Sequence, residues 1–295
     1  VFHNNRRGEK VVPSESCRLC GHNDLIPLFT AKGYPLVRCK QCQFVQVARR
    51  PTDAELAEIY QPTYFTHSKY QDDSTLLREN RRRLQLVKMF VSVGAPVIEL
   101  GCGIGDFICH AQRDYVMSGS DLSEYAINLA RQRNPDAAER LWAASLETPE
   151  NPLLHHLFDA VCCWDVIEHL WNLHDVTRQI VHYVRPGGYI FLSTPNIGAP
   201  VPRLLGKTWA FMTPPEHLSF FNRQSLTYLF TQIQPGQRVY WRTSGKWANL
   251  GFIAYKLHRV MPSTLTRWLM HILEGYKLAV YVPTQDVQYA VFRLE

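Results

Sequence analysis

Four groups of residues in this chain have the types and spacing to do chemistry. The first is C-R-L-C from Cys17 to Cys20 with C-K-Q-C from Cys39 to Cys42. Thiolates at i and i+3 on a tight turn grip one ion from one side, and a second pair closes a tetrahedron. Four sulfur ligands leave no open position, so the ion expected there is a structural zinc. A redox couple would need only one pair. The second group is V-I-E-L-G-C-G-I-G-D-F from Val97 to Phe107. Its Gly101, Gly103 and Gly105 suit a turn that needs φ > 0 and close approach of backbone to ligand. Glu99 precedes the first glycine. Asp121 stands twenty residues after Gly101, where an acidic side chain reaches ribose hydroxyls. A nicotinamide-binding turn would read G-x-G-x-x-G, which is absent here. The last two groups are Glu168-His169 and Glu216-His217. Histidine titrates close to working pH and accepts a hydroxyl proton, and a neighbouring carboxylate can orient it.

These groups need elements to hold them. Alternating strand and helix signals predict an α/β domain whose parallel sheet is covered on both faces. Strands are expected near 96–100, 115–120, 140–144, 158–164, 188–194, 238–244 and 287–294. Helices are expected near 75–93, 105–113, 123–133, 150–156 and 166–184. In such a sheet ligands sit at the carboxyl ends of the strands. There the first strand delivers Glu99, Gly101, Cys102, Gly103 and Gly105, and the second Asp121 and Leu122. The third delivers Ser145 and Leu146, and the fourth Trp164 and Asp165. PTDAELAEIY reads as a short helix capped by Thr52 or Asp53. Arg81 to Arg83 read as a solvated helix face.

The glycine turn with Glu99, Asp121 and FDAVCCWDVIEHL (Phe158 to Leu170) together resemble the class I S-adenosylmethionine-dependent methyltransferases. The resemblance covers roughly residues 75 to 295. It implies a Rossmann-like sheet of seven strands, the last antiparallel and inserted beside the fifth. It also implies that Gly101 to Gly105 pass the methionyl part of the cofactor and Asp121 pairs with the ribose. Ser145 and Leu146 would flank the adenine, and Trp164 or Asp165 would lie beside the methionine. TPPEHLSFF (Thr213 to Phe221) is similar to the Glu-His-x-x-Tyr/Phe segment of zinc-bearing bacterial sugar methyltransferases. That similarity implies His217 as base, supported by Glu216, with His169 as the other candidate. In those sugar enzymes a Tyr-Phe segment folds over the cofactor, which implies the same for Tyr64 and Phe65. Carbon-methylating members carry a further C-terminal domain not seen in these residues, so O-methylation is expected. Some metal-dependent RNA methyltransferases carry a Glu-x-x-Glu-His-His cluster. Asp165 and Glu168-His169 echo it, but Leu170 takes the place of the second histidine, which argues against a metal there.

The expected organisation is a zinc-ribbon module at 1–50, a linker or lid at 51–74 and the methyltransferase domain at 75–295. An apolar-basic helical insertion at about 246–286 suits a dimer face, a lid or peripheral contact with a membrane. The chain has 295 residues, a formal charge of +6 and 46% hydrophobic residues. That supports a sizeable core. The resemblance of the Glu216-His217 and Tyr64-Phe65 segments to sugar enzymes implies a small hydroxylated acceptor, such as a sugar or nucleotide-sugar, and the positive charge would serve a phosphorylated or nucleotide-linked one. The basic residues form no single stripe, so nucleic acid is not the expected partner. An RNA methyltransferase using the ribbon to bind RNA is the alternative, and a non-catalytic cofactor-binding scaffold is a second. The absence of a leader-like apolar run and the paired cysteines point to a reducing cytoplasm.

Overall fold

The computed structural model describes residues 15–59, 73–146, 156–232, 236–273 and 278–295. Tyr64, Phe65 and nearly all of the helix expected at 150–156 lie outside them. The larger sheet contains strands β4 (Pro96–Leu100), β5 (Val116–Asp121), β6 (Leu141–Ala143), β7 (Phe158–Trp164) and β8 (Val184–Pro195). Two long strands, β10 (Gly236–Asn249) and β11 (Ala279–Leu294), complete it. The order across the sheet is β10-β11-β8-β7-β4-β5-β6. Neighbours from β6 to β8 run parallel, and β11 lies antiparallel between β8 and β10. Order reverses at β4, which opens a crevice at its carboxyl end. Continuous apolar runs such as the buried Ala160 to Trp164 suit strands covered on both faces.

Helices α2 (Asp73–Lys88), α3 (Asp106–Ala111), α4 (Glu124–Arg133), α5 (Leu173–His182), α6 (Pro200–Leu205) and α7 (Arg223–Gln232) are among those that cover the sheet. α5 corrects the helix expected over 166–184. Asp165 takes φ of 56°, Ile167–His169 form one tight turn, and Leu170 is extended. The chain therefore restarts its helix only at Leu173, and Glu168 and His169 sit on a turn. Arg185 to Gly187, which precede the strand expected near 188–194, lie inside β8 beside a register shift.

A second sheet has the order β1 (Leu25–Ala31), β2 (Tyr34–Cys39), β3 (Val45–Val47), β9 (Ser219–Phe220), all antiparallel. Its fourth strand comes from the segment that follows Glu216-His217. Cys17, Cys39, Cys42 and Phe44 share one core cluster with Ile98, Leu100 and Ile167. The cysteine-bearing segment is thus built onto the larger sheet by shared strand and shared core. α1 (Asp53–Ile59) follows β3. Its cap is a reciprocal pair: Glu55 N–H donates to Thr52 Oγ1 at 3.2 Å and Thr52 N–H to Glu55 Oε2 at 2.7 Å. Among the described residues no helix is long and apolar enough to cross a membrane.

Candidate active site

The glycine turn stands at the carboxyl end of β4. Gly101, Gly103 and Gly105 take φ of 71°, 53° and 77°. A Cβ at Gly101 would come within 2.5 Å of Val166 Cγ2, and one at Gly105 within 2.5 Å of Asn134 Nδ2. At Gly103 a Cβ would meet nothing within 4 Å, so this glycine opens a cradle above the turn. Asp121 at the end of β5 borders that cradle. Its Oδ2 accepts from Gly103 N–H at 2.8 Å and its Oδ1 from Ser123 N–H at 2.9 Å. Burial pushes its carboxyl up, against these backbone donors. Glu99 is buried, and burial pushes its carboxyl well above the ordinary range despite the nearby Arg83 guanidinium. Its Oε2 has no hydrogen-bond partner among the described residues. A buried acceptor left open beside an open glycine fits a ligand that brings a donor, such as an amino group.

The other residues expected at the cofactor divide. Cys102 packs behind the turn, where a Cβ on Gly119 would stand 3.0 Å from its Sγ. Leu122 is exposed at the rim, Ser145 is half-buried, and Leu146 is buried in the core. Trp164 is buried edge-on to Phe107, with ring centroids 5.5 Å apart, and so packs the core beneath the crevice. Asp165 is held by Ser193 Oγ at 3.1 Å and by Arg83 Nη2 at 2.6 Å. Arg83 corrects the solvated face expected for Arg81 to Arg83: its side chain is largely buried against Asp165, with its guanidinium over Trp164. Burial works against its charge, but Asp165 and Glu79 outweigh that and raise its pKa.

The two Glu-His pairs meet. One ligand atom each from Glu168, His169 and His217 lie within 4.8 Å of one another. The histidine rings stand edge to face, with centroids 4.8 Å apart. His169 Nδ1 lies 2.9 Å from the Glu216 carbonyl and His217 Nδ1 2.8 Å from the Phe211 carbonyl. A carbonyl only accepts, so both rings carry hydrogen on Nδ1, and a neutral ring then has its lone pair on Nε2. Glu216 thus orients His169 through its backbone oxygen. Glu168 Oε2 accepts from Thr194 Oγ1 at 2.9 Å. Burial, then the nearby Asp165, pushes the Glu168 carboxyl up to about 8. The turn that carries Glu168 and His169 starts close to the glycine turn, since a Cβ at Gly101 would run into Val166, two residues before Glu168.

Sequence reasoning missed Arg18, between the first two cysteines. Its Nη1 donates to the Leu170 and Trp171 carbonyls at 3.3 and 3.0 Å. Its Nη2 donates to the Leu218 carbonyl at 2.6 Å. One guanidinium therefore ties together the two loops that carry the histidines. Beside it, Cys17 and Cys42 Sγ lie 3.6 Å apart and Cys20 and Cys39 Sγ 3.5 Å apart, too far for disulfides. Tetrahedral sulfur at about 2.3 Å from zinc gives an edge of about 3.8 Å, close to both distances. A hydrogen bond from Cys42 lowers the Cys17 thiol to about 5. Burial pushes Cys20 up to about 11, and the bond to Cys17 raises Cys42 further. All four sulfurs would be thiolate together only with a cation among them.

The methyltransferase-domain family matches residues 69–234, more than half of the chain. This chain belongs to that family. The family match makes residues 69–234 a class I S-adenosylmethionine-dependent methyltransferase domain. The chain is 32% identical over 109 residues to the ubiquinone biosynthesis O-methyltransferase of Azoarcus sp., covering 35% of this chain and 45% of that one. It is 30% identical over 151 residues to the protein of the same name from Chromobacterium violaceum, covering 48% and 64%. The match thus spans about half to two thirds of these relatives' length. A solved S-adenosylmethionine-dependent methyltransferase of Thermotoga maritima has the same fold. Its TM-score is 0.53 at 14% identity, over 81% of this chain and 100% of that one.

Proposed function

We propose that this protein transfers a methyl group from S-adenosylmethionine to a hydroxyl of a small acceptor, a sugar, nucleotide-sugar or related metabolite. The observation that carries this reading is the meeting of His169 and His217 beside the glycine turn, with the lone pair of each on Nε2. Glu99, the cradle at Gly103 and Asp121 would hold the cofactor, which supplies a methyl carbon on a sulfonium. His217 would take the acceptor proton on Nε2, with His169 as the other candidate. The hydroxyl oxygen bonds to the methyl carbon as the carbon–sulfur bond breaks, and the bonding pair leaves with sulfur. Oxygen as the acceptor atom is supported by the name of the relatives, O-methyltransferases. The sugar rests on the Glu216-His217 segment. The Cys17, Cys20, Cys39 and Cys42 cluster would hold a structural zinc, supported by its sulfur spacing. The test is methyl transfer from labelled cofactor into a small-metabolite fraction and a total RNA fraction. His217→Ala should cut turnover roughly a hundredfold or more and leave cofactor affinity nearly intact. Labelling of RNA alone would overturn the small-molecule reading.

A second reading has its own observation. Glu168, His169 and His217 form a carboxylate-and-two-imidazole group of the kind that binds a divalent cation. His217, brought in from the later loop, takes the part that Leu170 does not. Under this reading Glu168, His169 and His217 would hold the ion, which would supply Lewis-acid activation of the acceptor hydroxyl, and His217 would be a ligand rather than the base. Mn2+ titrated into the chelated protein and followed by electron paramagnetic resonance separates the two. Stoichiometric binding lost in Glu168→Gln supports the cation; its absence leaves the histidine base.

A further inference from the structure

Strands β10 and β11 run on past the larger sheet. β8 ends at Pro195, paired with Val287, and Val287 also faces Ser244. From there Lys246 to Asn249 pair only with Val282 to Ala279. Five residues of strand carry this ribbon roughly 16 Å beyond the carboxyl edge, the edge that bears the candidate site. Arg82 Nη1 braces the ribbon at the Gly245 carbonyl, 3.2 Å away, and the Arg78 guanidinium lies 4.5 Å from the Trp247 ring. At its tip stand α8 (Leu250–Val260) and α9 (Thr264–Leu273). Their turn is fixed: Thr266 N–H donates to Ser263 Oγ and Ser263 N–H to Thr266 Oγ1, both at 3.1 Å. His258 Nδ1 reaches Thr266 Oγ1 at 2.8 Å.

α9 is inverted relative to a packing helix. Its one buried residue is Thr266. Leu265, Trp268 and Ile272 are 63, 58 and 44% exposed, and Met261 before them 62%. Spacing of i, i+3 and i+7 puts Leu265, Trp268 and Ile272 on one stripe that faces away from the protein. Such a stripe on a soluble surface marks something that covers it. The charge around it selects the occupant. From Leu250 to Leu278 the chain has four Lys or Arg residues and one Glu. A two-fold contact with a second copy would set this positive charge against itself. An anionic surface would be attracted to it.

We propose that the α8–α9 hairpin docks this protein onto an anionic lipid surface. Met261, Leu265, Trp268 and Ile272 enter the headgroup boundary, and the positive charge of the segment is drawn to the lipid phosphates. The indole of Trp268 suits that boundary, with an apolar body and one polar N–H. Docking at this tip turns the carboxyl edge, and with it the acceptor entrance, toward the lipid. This proposal does not depend on which hydroxyl is methylated.

Co-sedimentation of the full chain with phosphatidylglycerol vesicles and with phosphatidylcholine vesicles tests it. Wild type should partition to phosphatidylglycerol at least tenfold more strongly, and the difference should shrink as salt is raised. Leu265→Glu with Trp268→Glu should lower partitioning tenfold or more while cofactor affinity by calorimetry is unchanged, which shows the fold is kept. Equal partitioning of variant and wild type, or no binding to phosphatidylglycerol, would overturn it. So would a wild-type dimer by light scattering that the variant loses, without any vesicle binding, since the stripe would then be covered by a second copy.

Discussion

At the scale of single residues, Asp121 is oriented before any ligand arrives, because Gly103 and Ser123 amides hold both its oxygens. Preorganised charge of this kind makes strong hydrogen bonds. Asp121→Ala should therefore weaken S-adenosylmethionine binding by about 1.5–3 kcal/mol, the worth of hydrogen bonds to a charged group. Calorimetry reads this, with circular dichroism to confirm the fold; unchanged affinity would move the ribose elsewhere. Asp121 was legible in the sequence because a glycine turn and a following strand fix the distance between their ends. Arg83 was not. It sits in a run of three arginines, and the spacing along a helix cannot distinguish a solvated cation from one aimed at Asp165, 82 residues away. The place of Trp164 was not legible for the same reason. Its burial against Phe107 and under Arg83 is a tertiary fact with no local signature.

At the scale of elements, the start of α1 was legible down to its cap, since Thr52 and Glu55 carry the capping pattern in four residues. Thr52→Ala should cost about 1 kcal/mol of stability in urea unfolding. The partner of the cap was hidden: Arg49 holds both Glu55 oxygens, at 2.8 and 2.7 Å, and lies over the Tyr34 ring of β2. Arg49 holds the Glu55 carboxyl far below its ordinary 4.5. A carboxylate with a depressed folded pKa adds stability that is complete above its unfolded value and is lost as pH falls beneath it. Stability should thus decline on acidification below about pH 4.5, and Glu55→Gln should flatten that limb while lowering stability at neutral pH. A variant as steep as wild type would count against the pair. The turn at Ile167–His169 is the opposite case. Its residues have helical periodicity, and what ends the helix is external: Arg18 and the amide of Leu218 take the carbonyls of Glu168, Leu170 and Trp171.

At the scale of the whole molecule, the cysteine cluster and the histidine cluster are one construction. β3 pairs with β9, and β9 starts two residues after His217. Arg18, between two of the cysteines, holds the Leu170, Trp171 and Leu218 carbonyls. The sequence shows each half, but the shared strand is two residues long and has no pattern to read. The glycine turn is held differently, by β4, β5 and α3. Loss of the cysteine centre should therefore disturb the acceptor loops and spare the cofactor cradle. Metal analysis of the dialysed protein is expected to give close to one zinc per chain, and Cys39→Ser should lose it. Turnover of that variant should fall roughly tenfold or more while its affinity for S-adenosylmethionine stays near that of wild type. Arg18→Met gives the same split without touching a thiolate: zinc retained, cofactor affinity retained, turnover reduced. A wild type without metal would remove zinc from the scheme. A Cys39→Ser protein that lost cofactor affinity as steeply as turnover would show that the two sheets unfold together.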